Sequence, residues 1–303
     1  MFYPVSKERR PAPRFVLQWA MRPSVGTISF FATCLVVLLL AAGAAVGLIV
    51  LLATPRLTDA LRALPVNSWW FIYSAPGDAA AGLPGGSLAA APWRIGAAIA
   101  SSILSLLAVL RARTIYRRSP SPIIPFLMMF LLALGLECLR AGTALLVAAD
   151  SPISFSVFLT RVIYWGRFVG LLGVLLAGLY AMELKYTKVI VLGGLVLLVS
   201  FAMAAYIPVD RTVFLAQMTW KLGDEQSVWF LNLALAALAL LTGAVAALVR
   251  KGRRTTLLAA GIALFLIARE VEFFAVQPVS LAAGLAAQAL GTVLSLRALA
   301  AGK

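Results

Sequence analysis

One stretch decides the class of fold: residues 155–180 read FSVFLTRVIYWGRFVGLLGVLLAGLY. Its only charges are Arg161 and Arg167. The stretch exceeds the ~20 mostly apolar residues that carry a helix across a bilayer. It therefore predicts a spanning helix over about 154–181, with two arginines at membrane depth.

Seven further stretches are also apolar enough for spanning helices. The predicted spans are 26–53, 95–110, 123–149, 154–181, 188–207, 227–249, 255–276 and 279–297. The second is short, and Gln288 and Gly291 interrupt the eighth, so seven spans stay an alternative to eight. The predicted fold is all-α, a polytopic bundle of transmembrane helices.

The composition agrees with this fold. Of 303 residues, 62% are hydrophobic and 12% are charged, and the mean hydropathy is +0.99. Soluble chains average about 45–50% apolar and about 25% charged residues. The excess of apolar surface must therefore face lipid.

Basic residues are divided unequally between the two ends of the predicted spans. With the N-terminus inside, the inner segments hold 17 Lys and Arg and the outer segments hold 5. The positive-inside rule then predicts a multi-pass protein of a bacterial-type inner membrane with both termini cytoplasmic. The net charge of +15 consists mainly of anchors for anionic lipids, so we expect membrane lipids and no nucleic acid as partners.

The predicted organisation is simple. Residues 1–25 form a basic cytoplasmic segment without a signal-peptide cleavage site, and residues 26–300 form a single transmembrane domain. An output module would have to be a separate chain. The outer loop 54–94 contains the aromatic run 69–73, which is typical of an interfacial helix with an aromatic belt; a lid over the outer mouth is the alternative.

The two halves of the chain share a plan of alternating spans and loops. Their third spans resemble each other locally, since residues 130–137 read FLLALGLE and residues 265–272 read FLIAREVE. Four spans in each half would make a 4+4 parallel pseudo-repeat. Apolar sequences match easily by chance, so the duplication is a hypothesis.

Several site chemistries are excluded by what the sequence lacks. It has no histidine, and its two cysteines, Cys34 and Cys138, lie in apolar runs. Sites that need an imidazole base, a His-ligated metal or haem, or a disulfide framework are therefore excluded. No nucleotide-binding motif is present, and we expect no catalytic residue, no metal and no cofactor.

Seven ionisable side chains fall inside the predicted spans, where each costs at least ~2.5–3.5 kcal/mol. They are Glu137, Arg140, Arg161, Arg167, Arg269, Glu270 and Glu272. Counting ~1.5 Å per residue places all of them in the middle and outer half of the bilayer. Such residues indicate a functional site.

Their spacing suggests pairs. Glu137 and Arg140 are i,i+3 neighbours, and so are Arg269 and Glu272 in reversed order. If spans three and seven touch, Glu137 meets Arg269 and Arg140 meets Glu272. We assign ion pairing or proton relay to Glu137, Arg269, Glu270 and Glu272.

Glu270 is then expected to reach Arg161 or Arg167, which leaves one arginine without a carboxylate. Tyr164 lies between these two arginines in the sequence. We predict that Arg140, Arg161, Tyr164 and Arg167 bind an anionic small molecule in a pocket of spans three, four and seven, open toward the outer leaflet.

Several functions remain compatible with these residues. The first is binding and transport of a small anionic or amphipathic solute or a lipid. A receptor-like sensing subunit that acts through a partner membrane protein or separate output subunit is the second. In the third, a structural or assembly subunit, the ion pairs only set helix register. Enzymatic chemistry by glutamate and arginine is disfavoured, since no histidine is present.

Overall fold

The structure, a computed structural model, describes residues 66–67, 91–149, 151–182, 189–215, 218–275 and 277–301. All of these belong to one compact unit, residues 37–303. The basic N-terminal segment, the first predicted span and most of the predicted loop 54–94 lie outside the described residues.

The described part of the chain is predominantly helical, as the sequence predicts. Its helices are α1 (Ala91–Arg118), α2 (Ile123–Gly135), α3 (Leu139–Ala148), α4 (Ile153–Ala181), α5 (Val189–Tyr206), α6 (Glu225–Arg250), α7 (Arg253–Phe274) and α8 (Pro278–Ala300). A 3-10 turn, Leu136–Cys138, joins α2 to α3 within one long helical segment. Each predicted span from the second to the eighth therefore coincides with a helix, and the second is much longer than expected.

Among the described residues, six helical segments are long and apolar enough to cross a membrane, as an integral membrane protein requires. They are Trp93–Arg118, Ile123–Val147, α4, α5, α6 and α8. The helix α7 is not among them, because Arg269, Glu270 and Glu272 make its last turns strongly charged. Its place in the bundle must depend on partners for those charges.

The centre of the bundle is α4, which contacts α2, α3, α5 and α6. Glycines permit the close approach of α4 to α2: a Cβ atom at Gly173 would lie 3.1 Å from the Phe126 carbonyl oxygen. The helices α7 and α8 are equally close, since a Cβ atom at Gly291 would lie 3.0 Å from the Gly261 carbonyl oxygen. The helix α8 also packs on α1, so the last described helix contacts the first.

A small sheet joins two of the predicted outer loops, which the sequence analysis did not predict. Strand β1 (Val66–Asn67) pairs in parallel with β2 (Val209–Leu215), and β2 pairs antiparallel with β3 (Trp220–Leu222). The base of this hairpin is closed by a 2.8 Å hydrogen bond from the Gly223 N–H to the Pro208 carbonyl oxygen. Residues from both predicted outer loops therefore lie at the same end of the bundle.

The hairpin is anchored to the bundle by Trp220. Its indole N–H donates to the Ser156 hydroxyl at 2.8 Å, and its backbone N–H donates to the Thr160 hydroxyl at 3.3 Å. The ring also packs with Ile95 of α1 and Ala141 of α3. The hairpin thus covers the end of the bundle at which α1 and α4 begin and α3 finishes.

The outward faces of α5 and α6 are apolar and exposed. They carry large side chains such as Leu198, Phe201, Leu241 and Leu248. Such faces suit contact with lipid, where they need no protein partner.

Candidate functional site

Charged side chains come together where the 3-10 turn, the middle of α4 and the end of α7 meet. Glu137, Arg140, Arg167 and Arg269 are buried, while the Glu270 side chain is 38% exposed. We call these five residues the ion-pair network. It contains three arginines and two glutamates, so its formal charge is +1.

Arg167 is the hub of this network. It forms an ion pair with Glu137 at 3.1 Å and donates from Nη2 to both carboxylate oxygens of Glu270, at 2.8 and 2.9 Å. Its guanidinium also lies 3.7 Å from the centre of the Phe273 ring. Charge-assisted hydrogen bonds of this kind are about twice as strong as neutral ones. Both terminal nitrogens of Arg167 are therefore paired with this chain's own carboxylates, while its Nε has no hydrogen-bond partner among the described residues.

Arg140 holds the end of α7. Its Nη2 pairs with Glu137 at 3.0 Å, and its Nη1 donates to the backbone carbonyl oxygens of Glu272 and Phe273 at 3.3 and 3.4 Å. The last carbonyl groups of a helix lack partners within the helix and carry partial negative charge. Arg140 thus caps α7 and ties it to the 3-10 turn.

Arg269 connects α7 to two neighbouring helices. Its Nη2 donates to the Arg167 carbonyl oxygen of α4 at 3.2 Å and to the Asn232 side-chain oxygen of α6 at 3.4 Å. Its Nη1 lies 3.3 Å from the Glu270 carboxylate. Glu270 therefore sits between two arginines.

The expected cross-pairing of spans three and seven occurs only in part. The two segments do touch, since the Phe130 and Phe265 rings lie 5.3 Å apart and Arg140 reaches the end of α7. However, Arg140 contacts the backbone rather than the carboxylate of Glu272, and Glu137 pairs with Arg167 rather than Arg269. The 3-10 turn explains the difference, because three residues per turn displace Glu137 from the position that an unbroken α-helix predicts.

The predicted ligand-binding residues separate in the structure. Arg140 and Arg167 lie in the network and Tyr164 is buried beside it, but Arg161 is exposed and lies outside. Six residues at about 100° each place Arg161 roughly 120° away from Arg167 around the helix. Arg161 therefore lies apart from Arg140, Tyr164 and Arg167, and its role in ligand binding stays a prediction.

Sequence reasoning missed Arg94, which it placed in the outer loop. Arg94 lies in the first turn of α1, is only 4% exposed and is close enough to Arg140 for their charges to repel. It lies seven residues before Ser101, hence on the same helix face. With Glu270 and Glu272 included, the structure brings four arginines and three glutamates into the bundle, the same numbers that the sequence predicts. Arg94 takes the place of Arg161 among them.

A small cavity opens beside Arg167, between α4, α6 and α7. Its volume is about 30 Å³, room for roughly two water molecules. Arg167 and Glu270 form its charged wall, and Tyr164, Trp229 and Phe274 are among the aromatic side chains that line it. Leu222 of β3 and Glu225 also line it, which places it near the hairpin end of the bundle. The sequence predicts that span three forms part of the pocket wall, but in the structure α6 forms that part.

Comparisons of this chain with family models, with curated proteins and with solved structures give no match.

Proposed function

We propose that this chain is a multi-pass protein of a bacterial inner membrane that binds and moves a small amphipathic solute with an anionic group. The solute enters the cavity between α4, α6 and α7 and pairs with Arg167. Membrane lipids surround the bundle, and both termini lie in the cytoplasm.

The distribution of charge supports this orientation. Arg117 and Arg118 end α1, and basic residues fill the junction between α6 and α7, 250–254. The hairpin and the cavity lie at the other ends of α1 and α6. By the positive-inside rule, the cavity then faces the outer leaflet.

The observation that carries the proposal is the contact of Arg167 Nη2 with both carboxylate oxygens of Glu270 in the cavity wall. A guanidinium nitrogen donates in the same way to the oxygens of other carboxylate, phosphate and sulfonate groups. Glu270 is partly exposed, whereas Glu137 is buried behind Arg167. Glu270 is thus the carboxylate that an incoming anion can replace.

This exchange explains how a cavity of about 30 Å³ accepts a larger solute. When Glu270 turns toward the open side, its place on Arg167 becomes part of the binding space. The aromatic rings of Trp229 and Phe274 then contact the apolar portion of the solute. The buried partner Glu137 keeps Arg167 in position throughout.

A sensing subunit that acts through a separate output chain is the second candidate. It is favoured because Glu270 also pairs with Arg269, which bonds to α4 and α6. Displacement of Glu270 would loosen a contact that ties three helices together. A bound solute could thereby change helix packing without crossing the membrane.

The test uses octanesulfonate, an amphiphile that stays anionic at every accessible pH. Its binding to the protein in lipid nanodiscs is followed by quenching of tryptophan fluorescence, with octanol as the neutral control. The Glu270 side chain competes with the ligand for Arg167. Glu270→Gln weakens that competition by about one charge-assisted hydrogen bond, so we expect octanesulfonate to bind roughly tenfold more tightly. Arg161→Gln should leave the affinity unchanged.

Three results are informative. Unchanged or weaker binding by Glu270→Gln would contradict the exchange. Octanol binding as tightly as octanesulfonate would contradict recognition of an anion. Accumulation of labelled octanesulfonate in proteoliposomes supports transport, whereas binding without accumulation supports the sensing subunit.

A further inference from the structure

The third buried glutamate, Glu272, lies outside the ion-pair network. It is 5% exposed, and its Oε1 atom has no hydrogen-bond partner among the described residues. No arginine forms an ion pair with its carboxylate in that part of the chain. An isolated buried carboxylate is costly unless something neutralises it.

The side chain of Glu272 lies against α1 and α8. The Ser101 hydroxyl of α1 lies beside its carboxylate. On α8, Gly284 permits the contact, since a Cβ atom there would lie 2.8 Å from the Glu272 Cγ atom. One turn further along α8, the Gln288 side-chain amide donates to the Ser101 carbonyl oxygen at 3.2 Å and to the Ser105 hydroxyl at 2.8 Å.

Two neighbouring oxygen atoms are also buried without a regular hydrogen bond among the described residues. The Ser101 hydroxyl approaches the Glu272 carboxylate without forming one, and Gln288 Oε1 has none although the amide nitrogen of the same side chain donates two. Together with Glu272 Oε1, three buried oxygens in this region therefore lack a regular hydrogen bond. Buried polar groups nearly always have a hydrogen-bond partner, so we expect these three oxygens to share a bound ion.

The charged groups that face Glu272 do not neutralise its carboxylate. Glu137 approaches from the 3-10 turn with the same charge. Arg140 of α3 bonds the Glu272 backbone and directs its other nitrogens to Glu137. Arg94 lies two turns from Ser101 toward the start of α1, and α8 contributes only the neutral Gln288.

Polar side chains continue from Ser101 into the bundle, away from the hairpin. Thr292, one turn beyond Gln288, donates to the Gln288 carbonyl oxygen at 2.9 Å. Ser295 follows, fully buried and with its hydroxyl unpartnered among the described residues. From Gln288 to Ser295 these side chains cover about 10 Å of helix. They extend the buried polar side chains of α8 from the level of Ser101 toward the end of that helix.

We propose that Glu272, Ser101 and Gln288 form a monovalent-cation site, separate from the solute cavity, that holds a proton or a sodium ion. A proton converts Glu272 to a neutral acid that donates to the Ser101 hydroxyl. A sodium ion instead takes the carboxylate, the hydroxyl and the amide oxygen as ligands. Either ion neutralises the carboxylate and satisfies the orphaned oxygens.

The test is infrared difference spectroscopy of the protein in lipid membranes, titrated with acid and base in potassium and in sodium buffers. We expect a protonated-carboxyl C=O band that titrates and that Glu272→Gln removes. If sodium moves its midpoint to lower pH, sodium competes for the site; if the midpoint is the same in both buffers, the occupant is a proton.

A neighbouring serine gives a matched control. Ser101→Ala should shift the midpoint, whereas Ser102→Ala should not, because Ser102 bonds to the Ala98 and Gly135 carbonyl oxygens instead. Absence of a titrating band that depends on Glu272 would overturn the proposal. Should Glu272→Gln fail to fold, equal midpoints for the two serine variants would overturn it.

Discussion

The sharpest test of the ion-pair network is Arg167→Gln. Arg167 neutralises Glu137 at 3.1 Å and Glu270 at 2.8 Å, and its loss leaves the buried Glu137 with Arg140 alone. Removing one partner of a buried ion pair costs ~3–5 kcal/mol. Glu270 is 38% exposed, so solvent screening reduces the destabilisation that the loss of its ion pair with Arg167 causes. We therefore expect the free energy of unfolding to fall by about 3 kcal/mol, the lower end of that range.

The measurement is reversible unfolding in mixed micelles, followed by circular dichroism as a denaturing detergent is added. Arg161→Gln is the matched control, because it makes the same substitution on an exposed face of α4. We expect this control to stay within about 0.5 kcal/mol of the parent protein. Equal losses in the two variants would refute the argument that Arg167 is the hub.

Two further predictions concern the packing of α7 against α8 and the anchoring of the hairpin. Gly291→Ala brings a Cβ atom to 3.0 Å from the Gly261 carbonyl oxygen and should destabilise the protein by ~1–3 kcal/mol. Gly194→Ala, which meets nothing within 4 Å, should instead stabilise its helix by up to ~1 kcal/mol in the same unfolding assay; a loss at both positions would contradict the close α7–α8 contact. Trp220→Phe and Ser156→Ala should each destabilise the hairpin, with a coupling energy of ~1 kcal/mol in a double-mutant cycle. Strict additivity would show that their 2.8 Å hydrogen bond contributes nothing.

The helical segments could be predicted from the sequence because a spanning helix has a local signature. A bilayer sets the minimum length of an apolar run, and each run can be recognised without its neighbours. The outer hairpin lacked such a signal. The run 209–215 is short, and its pairing with β1 joins residues that lie far apart in the chain.

The candidate site was predictable in composition but not in its connections. Charge within an apolar run identified Arg167, Glu270 and most of their partners, since such residues are rare in membrane helices. Which of them meet depends on the rotation of each helix. The 3-10 turn redirected Glu137 to Arg167, and the rotation of α4 left Arg161 outside.

The sequence by itself determined that this chain is a bundle of apolar helices and that the bundle must accommodate several arginines and glutamates. Those properties depend on hydrophobicity and length, which are counted along the chain. Only the tertiary structure decided that Arg94 is buried and that both carboxylate oxygens of Glu270 contact Arg167. It also left the Glu272 carboxylate without an ion pair among the described residues and placed it between α1 and α8. Pairing of buried charges is a contact property, and only the packing of several helices determines which side chains meet.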